Sequence, residues 1–148
     1  MSLLQLNTTY KPFKYPWAVD FAVQHEKVHW GEWEAKLQED VAQWKNGKLN
    51  PEEKNHITQI LRLFTQSDVA VGTNYLEYYI PKFKNNEIRA MLTSFANREF
   101  VHQRSYALLN DTLGLPEEEF AAFTAVLEMS DKLECMQNIG VNSHAGLA

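Results

Sequence analysis

IRAMLTSFANREFVHQRSYALLN, residues Ile88 to Asn110, is the stretch whose reading decides the fold. At helical spacing it places Ile88, Met91, Leu92, Phe95, Glu99, His102, Tyr106 and Leu109 on one face. The steps alternate threes and fours, the inward stripe of an amphipathic helix. A stripe that opens on Ile, Met, Leu and Phe should stay apolar, yet it continues through a carboxylate, an imidazole and a phenol. Burying a neutral polar group without a partner costs roughly 2–7 kcal/mol, and a charge far more, so something inside must satisfy these groups. Glu99-x-x-His102 is the spacing at which one helix offers an oxygen and a nitrogen to a single point. The first expectation is therefore a metal ion in the core, with Tyr106 one turn beyond it.

Working outward, the helix before this one begins at Asn50-Pro51-Glu52-Glu53, with Asn as N-cap, Pro at the first position and Glu at the third. Ile57, Ile60, Leu61, Phe64, Val71 and Tyr75 share one side of it, and Asp68 falls in the same row. It is expected to stop by Ile80, before Pro81. Two helices joined by the short KFKNN turn are antiparallel neighbours, which sets Asp68 and Glu99-x-x-His102 at similar depth. Two carboxylates and an imidazole favour iron or manganese over structural zinc.

Upstream, Pro16 suits the first turn of a helix running to about Trp30, and Glu39–Trp44 forms another short helical turn before the polar loop Lys45–Leu49. Downstream, the Ile88 helix ends around Asn110–Gly114, and Pro116-Glu117-Glu118-Glu119 starts a further helix through Phe120, Phe123 and Leu127. No strand-like alternation of any length interrupts this pattern. The expectation is one all-α domain over 1–148, with an extended arm at 1–17, a helical bundle segment at 18–136 and a flexible tail at 137–148.

The composition agrees with a folded soluble chain, 45% apolar and 22% charged in 148 residues. A net charge of −5 argues against a nucleic-acid surface or attraction to anionic membranes. The single Cys135 cannot form an internal disulfide, which points to a reducing, cytoplasmic setting. The N-terminus lacks a charged start followed by a sustained apolar run, and no stretch approaches the ~20 apolar residues of a membrane span.

Glu-x-x-His alone is weak, for the chain has it three times: Glu26/His29, Glu53/His56 and Glu99/His102. Glu53 is better explained as a capping residue. His25-Glu26-Lys27-Val28-His29 matches the H-E-x-x-H of zinc proteases, but Lys27 puts a charge between the ligand positions, and short motifs recur by accident. For Glu99 and His102 the plain alternative is a buried ion pair, or a histidine satisfied by a carbonyl. Asp68, a further acid from the facing helix, tips the balance toward metal. Tyr106, Trp30, Trp33 and Trp44 read equally well as ordinary core aromatics.

With Asp68, Glu99, His102 and Tyr106 together, LRLFTQSDVAVG followed by NREFVHQRSYALLND resembles the small, radical-carrying subunit of class I ribonucleotide reductase. The likeness runs from about Tyr10 to Met136, with Glu99 31 residues after Asp68 and Tyr106 four after His102. It implies a ferritin-like helical bundle, a dinuclear centre of two iron ions (or manganese) held by Asp68, Glu99 and His102 plus three further ligands, and a radical on Tyr106. It also implies a radical-transfer tryptophan, assigned to Trp30 with Trp33 close by, and a large catalytic subunit as partner in deoxyribonucleotide synthesis. In that family the other three ligands come from a later helix pair, a Glu followed by a second Glu-x-x-His. Here the only later histidine, His144, has Val141 three before it. The chain is therefore expected to be the N-terminal part of such a subunit, as a truncated gene product, as one piece of a split protein, or as a homodimer that rebuilds the site from two copies. Two alternatives stand beside it: a ferritin-like half-bundle that dimerises to bind metal without reductase activity, and a non-catalytic helical interaction module.

Overall fold

The computed structural model describes residues 2–122 and 125–141; His144 and Phe123 lie outside them. Helix α1 (Pro16–Lys27) starts on its proline and ends short of Trp30. A single 3₁₀ turn at Glu32–Glu34 and the short α2 (Gln38–Lys45) lead to α3 (Pro51–Asn74). The start of α3 is a reciprocal cap. Asn50 Oδ1 accepts from the Glu53 amide at 2.9 Å, while Glu53 accepts from the Asn50 amide at 2.8 Å. Expected to stop before Pro81, the helix instead widens into a π-helical turn at Tyr75–Tyr79 and continues as α4 (Ile80–Lys82). The Ile80 amide reaches back five residues to the Tyr75 carbonyl, and this wider turn accommodates a proline that would clash in an α-helix.

Next comes α5 (Asn86–Leu113), capped by the Asn85 side chain on the Ile88 amide and closed by Gly114 at φ 76°, the left-handed conformation favoured by glycine. A four-residue α6 (Glu119–Ala122) and α7 (Leu127–Val141) complete the described chain. Helix thus extends five residues beyond Met136, where the bundle was expected to give way to tail. The described residues contain no strand and no helix long and apolar enough to cross a membrane.

The pairing of α3 and α5 is antiparallel. Thr65 meets Asn110, Asp68 meets Gln103, and Gly72 meets Glu99, so one number rises as the other falls. Helix α1 runs parallel to α5, with His25 against Ser94 and Phe95, and Trp30 against Arg98 and His102. Small residues let these helices approach closely: a Cβ added to Gly72 would lie 3.6 Å from that of Glu99. The buried apolar positions of α5 are accordingly Ile88, Ala96, Val101 and Leu113. Met91, Leu92, Phe95, Glu99, His102, Tyr106 and Leu109, expected to face inward, are only half-buried along the edge of the helix pair.

The N-terminal arm is tied to the start of α5 by polar groups. The Leu3 carbonyl accepts from the Lys84 and Asn85 amides at 3.1 and 3.2 Å. Glu87, 2% exposed, accepts from the Lys14 amide at 2.9 Å and from Asn7 Nδ2 at 3.1 Å. Burial pushes the Glu87 carboxyl upward, but hydrogen bonds from the Lys14 amide, its own amide, the Asn85 side chain and the Tyr15 amide outweigh it and hold it below the ordinary carboxylate value.

Candidate metal centre

Helix α3 brings Asp68, and α5 brings Glu99 and His102, to one place between them. One donor atom from each lies within 4.8 Å of the others. His102 Nδ1 is 3.4 Å from Glu99 Oε2 and 3.7 Å from Asp68 Oδ2. The side chains of Asp68 and Glu99 are 15% and 17% exposed and that of His102 35%, so the site is walled by carboxylates and opens along the imidazole. Among the described residues no other group of three His, Cys, Asp or Glu side chains converges this way.

Burial raises both acids above their ordinary values. The neighbouring imidazole pulls each back only in part, and the Asp68 charge pushes Glu99 further up. Two half-buried carboxylates beside a histidine are a cluster short of positive charge. Donors sharing one transition-metal ion at about 2.0–2.3 Å each stand within about 4.6 Å of one another; the His102 contacts of 3.4 and 3.7 Å lie inside that span, the full set needs at most a few tenths of an ångström of closure, and the oxygen-nitrogen chemistry suits a common cation.

Tyr106 lies one turn beyond His102, its ring stacked on Phe64 at 5.8 Å with a 12° tilt. Burial, and then the Asp68 charge, raise the pKa of its phenol. Trp30 stacks on the His102 ring at 5.9 Å and 24°, whereas Trp33 is 69% exposed and lies over Gly31. The π-helical turn borders the site as well: burial and the Glu99 charge raise the pKa of the Tyr75 phenol.

The other two Glu-x-x-His pairs are not assembled. Glu53 is spent on the α3 cap and His56 is exposed. His25 contacts Ser94 Oγ at 2.9 Å, while His29 lies past the end of α1, so the two histidines of the zinc-protease-like motif do not share a helical face.

A model of the family described as ribonucleotide reductase, small chain, matches residues 7–145. The chain belongs to that family. A small-chain relative from Invertebrate iridescent virus 6, named "Probable ribonucleoside-diphosphate reductase small subunit", is 40% identical over 97% of this chain and 40% of its own length. The ribonucleoside-diphosphate reductase small chain of Schizosaccharomyces pombe is 33% identical over 80% of this chain and 30% of its own. For ribonucleoside-diphosphate reductase subunit M2 of Homo sapiens, identity is 30% over 70% of this chain and 26% of the relative. The chain thus spans about two fifths or less of the small chains it matches. Its helical architecture agrees with that of the family.

Several neighbours of this small-chain site are not singled out by their spacing. Gln103 Nε2 donates to the Asp68 carbonyl at 2.9 Å and Gly72 admits Glu99 against α3. Phe64, which reads from sequence as a core position, is 46% exposed and covers Tyr106. Gly72, one turn after Asp68, is the nearest thing to a sequence signal among them.

Proposed function

We propose that the chain carries one half of the dinuclear metal centre of a ribonucleotide reductase small subunit, with Asp68, Glu99 and His102 as ligands and Tyr106 as the residue that is oxidised. The observation that carries this reading is the convergence of those three donors within 4.8 Å, beside a half-buried tyrosine, in a chain of the small-chain family. When bound, the metals would supply the one-electron oxidant that the reductase needs. Asp68 and Glu99 offer the hard anionic oxygens that balance the metal's charge, and His102 offers an imidazole nitrogen. Gln103 holds the Asp68 backbone from α5, which ties the two ligand-bearing helices together at the depth of the site. Tyr106 would give up an electron from its ring to that oxidant, and its hydroxyl proton would pass to a carboxylate of the site, of which Asp68 is near enough to raise the phenol's pKa. Phe64, stacked against that ring, shields it from water and reductants on one side. Trp30, on the His102 ring, is the exit for oxidising equivalents toward a large catalytic subunit.

Iron is the metal proposed, with manganese as the substitute the same donor set accepts. The three remaining donors come from another stretch of small-subunit polypeptide or from a second copy of this chain, whose two-fold pairing would juxtapose two sets of Asp68, Glu99 and His102. Anaerobic loading with Fe(II) or Mn(II), followed by metal analysis and sedimentation, tests both points. The expected result is about one metal ion per chain, lost in Asp68→Asn, Glu99→Gln and His102→Ala. Metal bound only to a dimer identifies the second copy as donor. No uptake of either ion by the chain, alone or with the rest of the small subunit, sinks the reading.

A further inference from the structure

Two arginines on α5 flank the ligand His102, Arg98 four residues before it and Arg104 two after. Arg98 is 9% exposed, and no carboxylate among the described residues lies within ion-pair reach of it. A buried guanidinium without a counter-ion is costly. This one donates from Nη1 to the Trp30 carbonyl at 3.0 Å. Arg104, half-exposed, donates from Nε to Glu32 Oε1 at 2.8 Å. Between these anchors the chain turns tightly. The Gly31 amide donates to Glu34 Oε1 at 2.8 Å, and a Cβ on Gly31 would come within 2.3 Å of the Trp33 ring that covers it. Helix α1 has already ended at Lys27, so no helical ladder fixes Trp30. The indole nevertheless lies on the His102 ring at 5.9 Å.

We propose that Arg98 and Arg104 are positioning residues, two straps from α5 that hold the Trp30–Glu34 segment so that the Trp30 indole is seated on His102. One strap grips the backbone at Trp30 and the other grips the side chain two residues on, so the segment can neither slide along α5 nor lift from it without breaking a charge-assisted hydrogen bond. The inference rests on the proposed role of His102 as a ligand, since only then does the stack connect an oxidisable indole to the metal centre.

Its test needs no metal. In the metal-free chain the His102 ring protons, observed by NMR on histidine-labelled protein, carry the ring-current shift of the stacked indole, and Trp30→Ala defines the unstacked value. Loss of the buried Arg98 strap should lower the ratio of docked to undocked segment by on the order of tenfold, and loss of the half-exposed Arg104 strap by about two- to fivefold. Arg98→Ala/Arg104→Ala should therefore bring the His102 signals to the Trp30→Ala position. Arg98→Lys, which keeps a donor at that place, should restore part of the shift. Arg104→Ala alone, at a half-exposed site, leaves the fold intact and keeps the test valid if Arg98→Ala unfolds the chain. His102 signals unmoved in Arg104→Ala and in the double variant, or unmoved by Trp30→Ala itself, would overturn the proposal. Failure of the wild-type chain to take up metal, alone or with the rest of the small subunit, would instead overturn the ligand role while leaving the His102 shifts where they are.

Discussion

Asp68→Asn separates a metal site from a structural ion-pair cluster, because the two predict stability changes of opposite sign in the metal-free chain. The carboxylates of Asp68 and Glu99 offer donor atoms within 4.8 Å of each other. At an effective dielectric constant of about 20, two like charges at that distance repel by about 3.5 kcal/mol. Partial exposure and the His102 imidazole at 3.4 and 3.7 Å offset part of this, leaving about 1–2 kcal/mol to be relieved. The sign agrees with the direction of the pKa shifts. Both acids are raised above their ordinary values of 3.8 and 4.5, so their ionisation costs folded stability once the pH passes the folded pKa values, and the cost is absent well below the ordinary ones. At neutral pH, Asp68→Asn should stabilise the chelator-treated chain by about 1–2 kcal/mol, a rise in melting temperature of about 2–8 °C. Adding metal at a hundred times its dissociation constant should stabilise the wild type by about 2.7 kcal/mol and the variant hardly at all. Urea or thermal unfolding with and without metal reads both effects. If the triad were a structural ion-pair cluster, removing one partner would destabilise the metal-free chain by about 3 kcal/mol or more and metal would change nothing. That outcome would refute the reasoning.

Glu87 has its pKa depressed rather than raised, so its contribution to stability is present above its ordinary value of 4.5 and is lost as the pH falls through the lower folded value. Acid should therefore release the N-terminal arm first, seen as faster hydrogen exchange at the Lys14 amide. Glu87→Gln should bring that release to neutral pH at a cost of about 1–3 kcal/mol, and an arm equally protected in the variant would contradict the latch. Gly72→Ala should be neutral or stabilising by up to about 1 kcal/mol, because an added Cβ meets its neighbours at 3.4 Å and beyond and alanine favours helix. Gly72→Leu should instead cost about 1–3 kcal/mol by forcing α5 away at Glu99, with weakened metal uptake as the check.

How much of this was legible in the sequence depends on whether a contact is made within a helix or across the fold. The helical character, the cap at Asn50 and the closure at Gly114 follow from local rules, since each depends on residues within a few positions. The meeting of Asp68 with Glu99 and His102 could be read because two long helices joined by a short turn leave one antiparallel solution. The Glu87 latch and the Arg98 and Arg104 straps could not. Their partners Asn7, Lys14, Trp30 and Glu32 lie outside the α-helices and roughly 70 to 80 residues away in the chain, where no periodicity constrains distance. Pro81 was misleading because the rule that proline stops a helix assumes α geometry, and the π-helical turn before it relaxes that geometry. Nor does the inward stripe of α5 reveal that glycine and alanine hold the tightest contacts and leave the larger side chains at the edge.

The central claim, that this half-site oxidises Tyr106, is tested most directly by electron paramagnetic resonance. The metal-free chain, with whatever copy or companion stretch completes its ligand set, would be loaded anaerobically with Fe(II) and then exposed to oxygen. A tyrosyl radical signal that disappears in Tyr106→Phe, while iron uptake stays at the wild-type level, is the predicted result. A signal that persists in Tyr106→Phe, or iron uptake with no radical in the wild type, would contradict it.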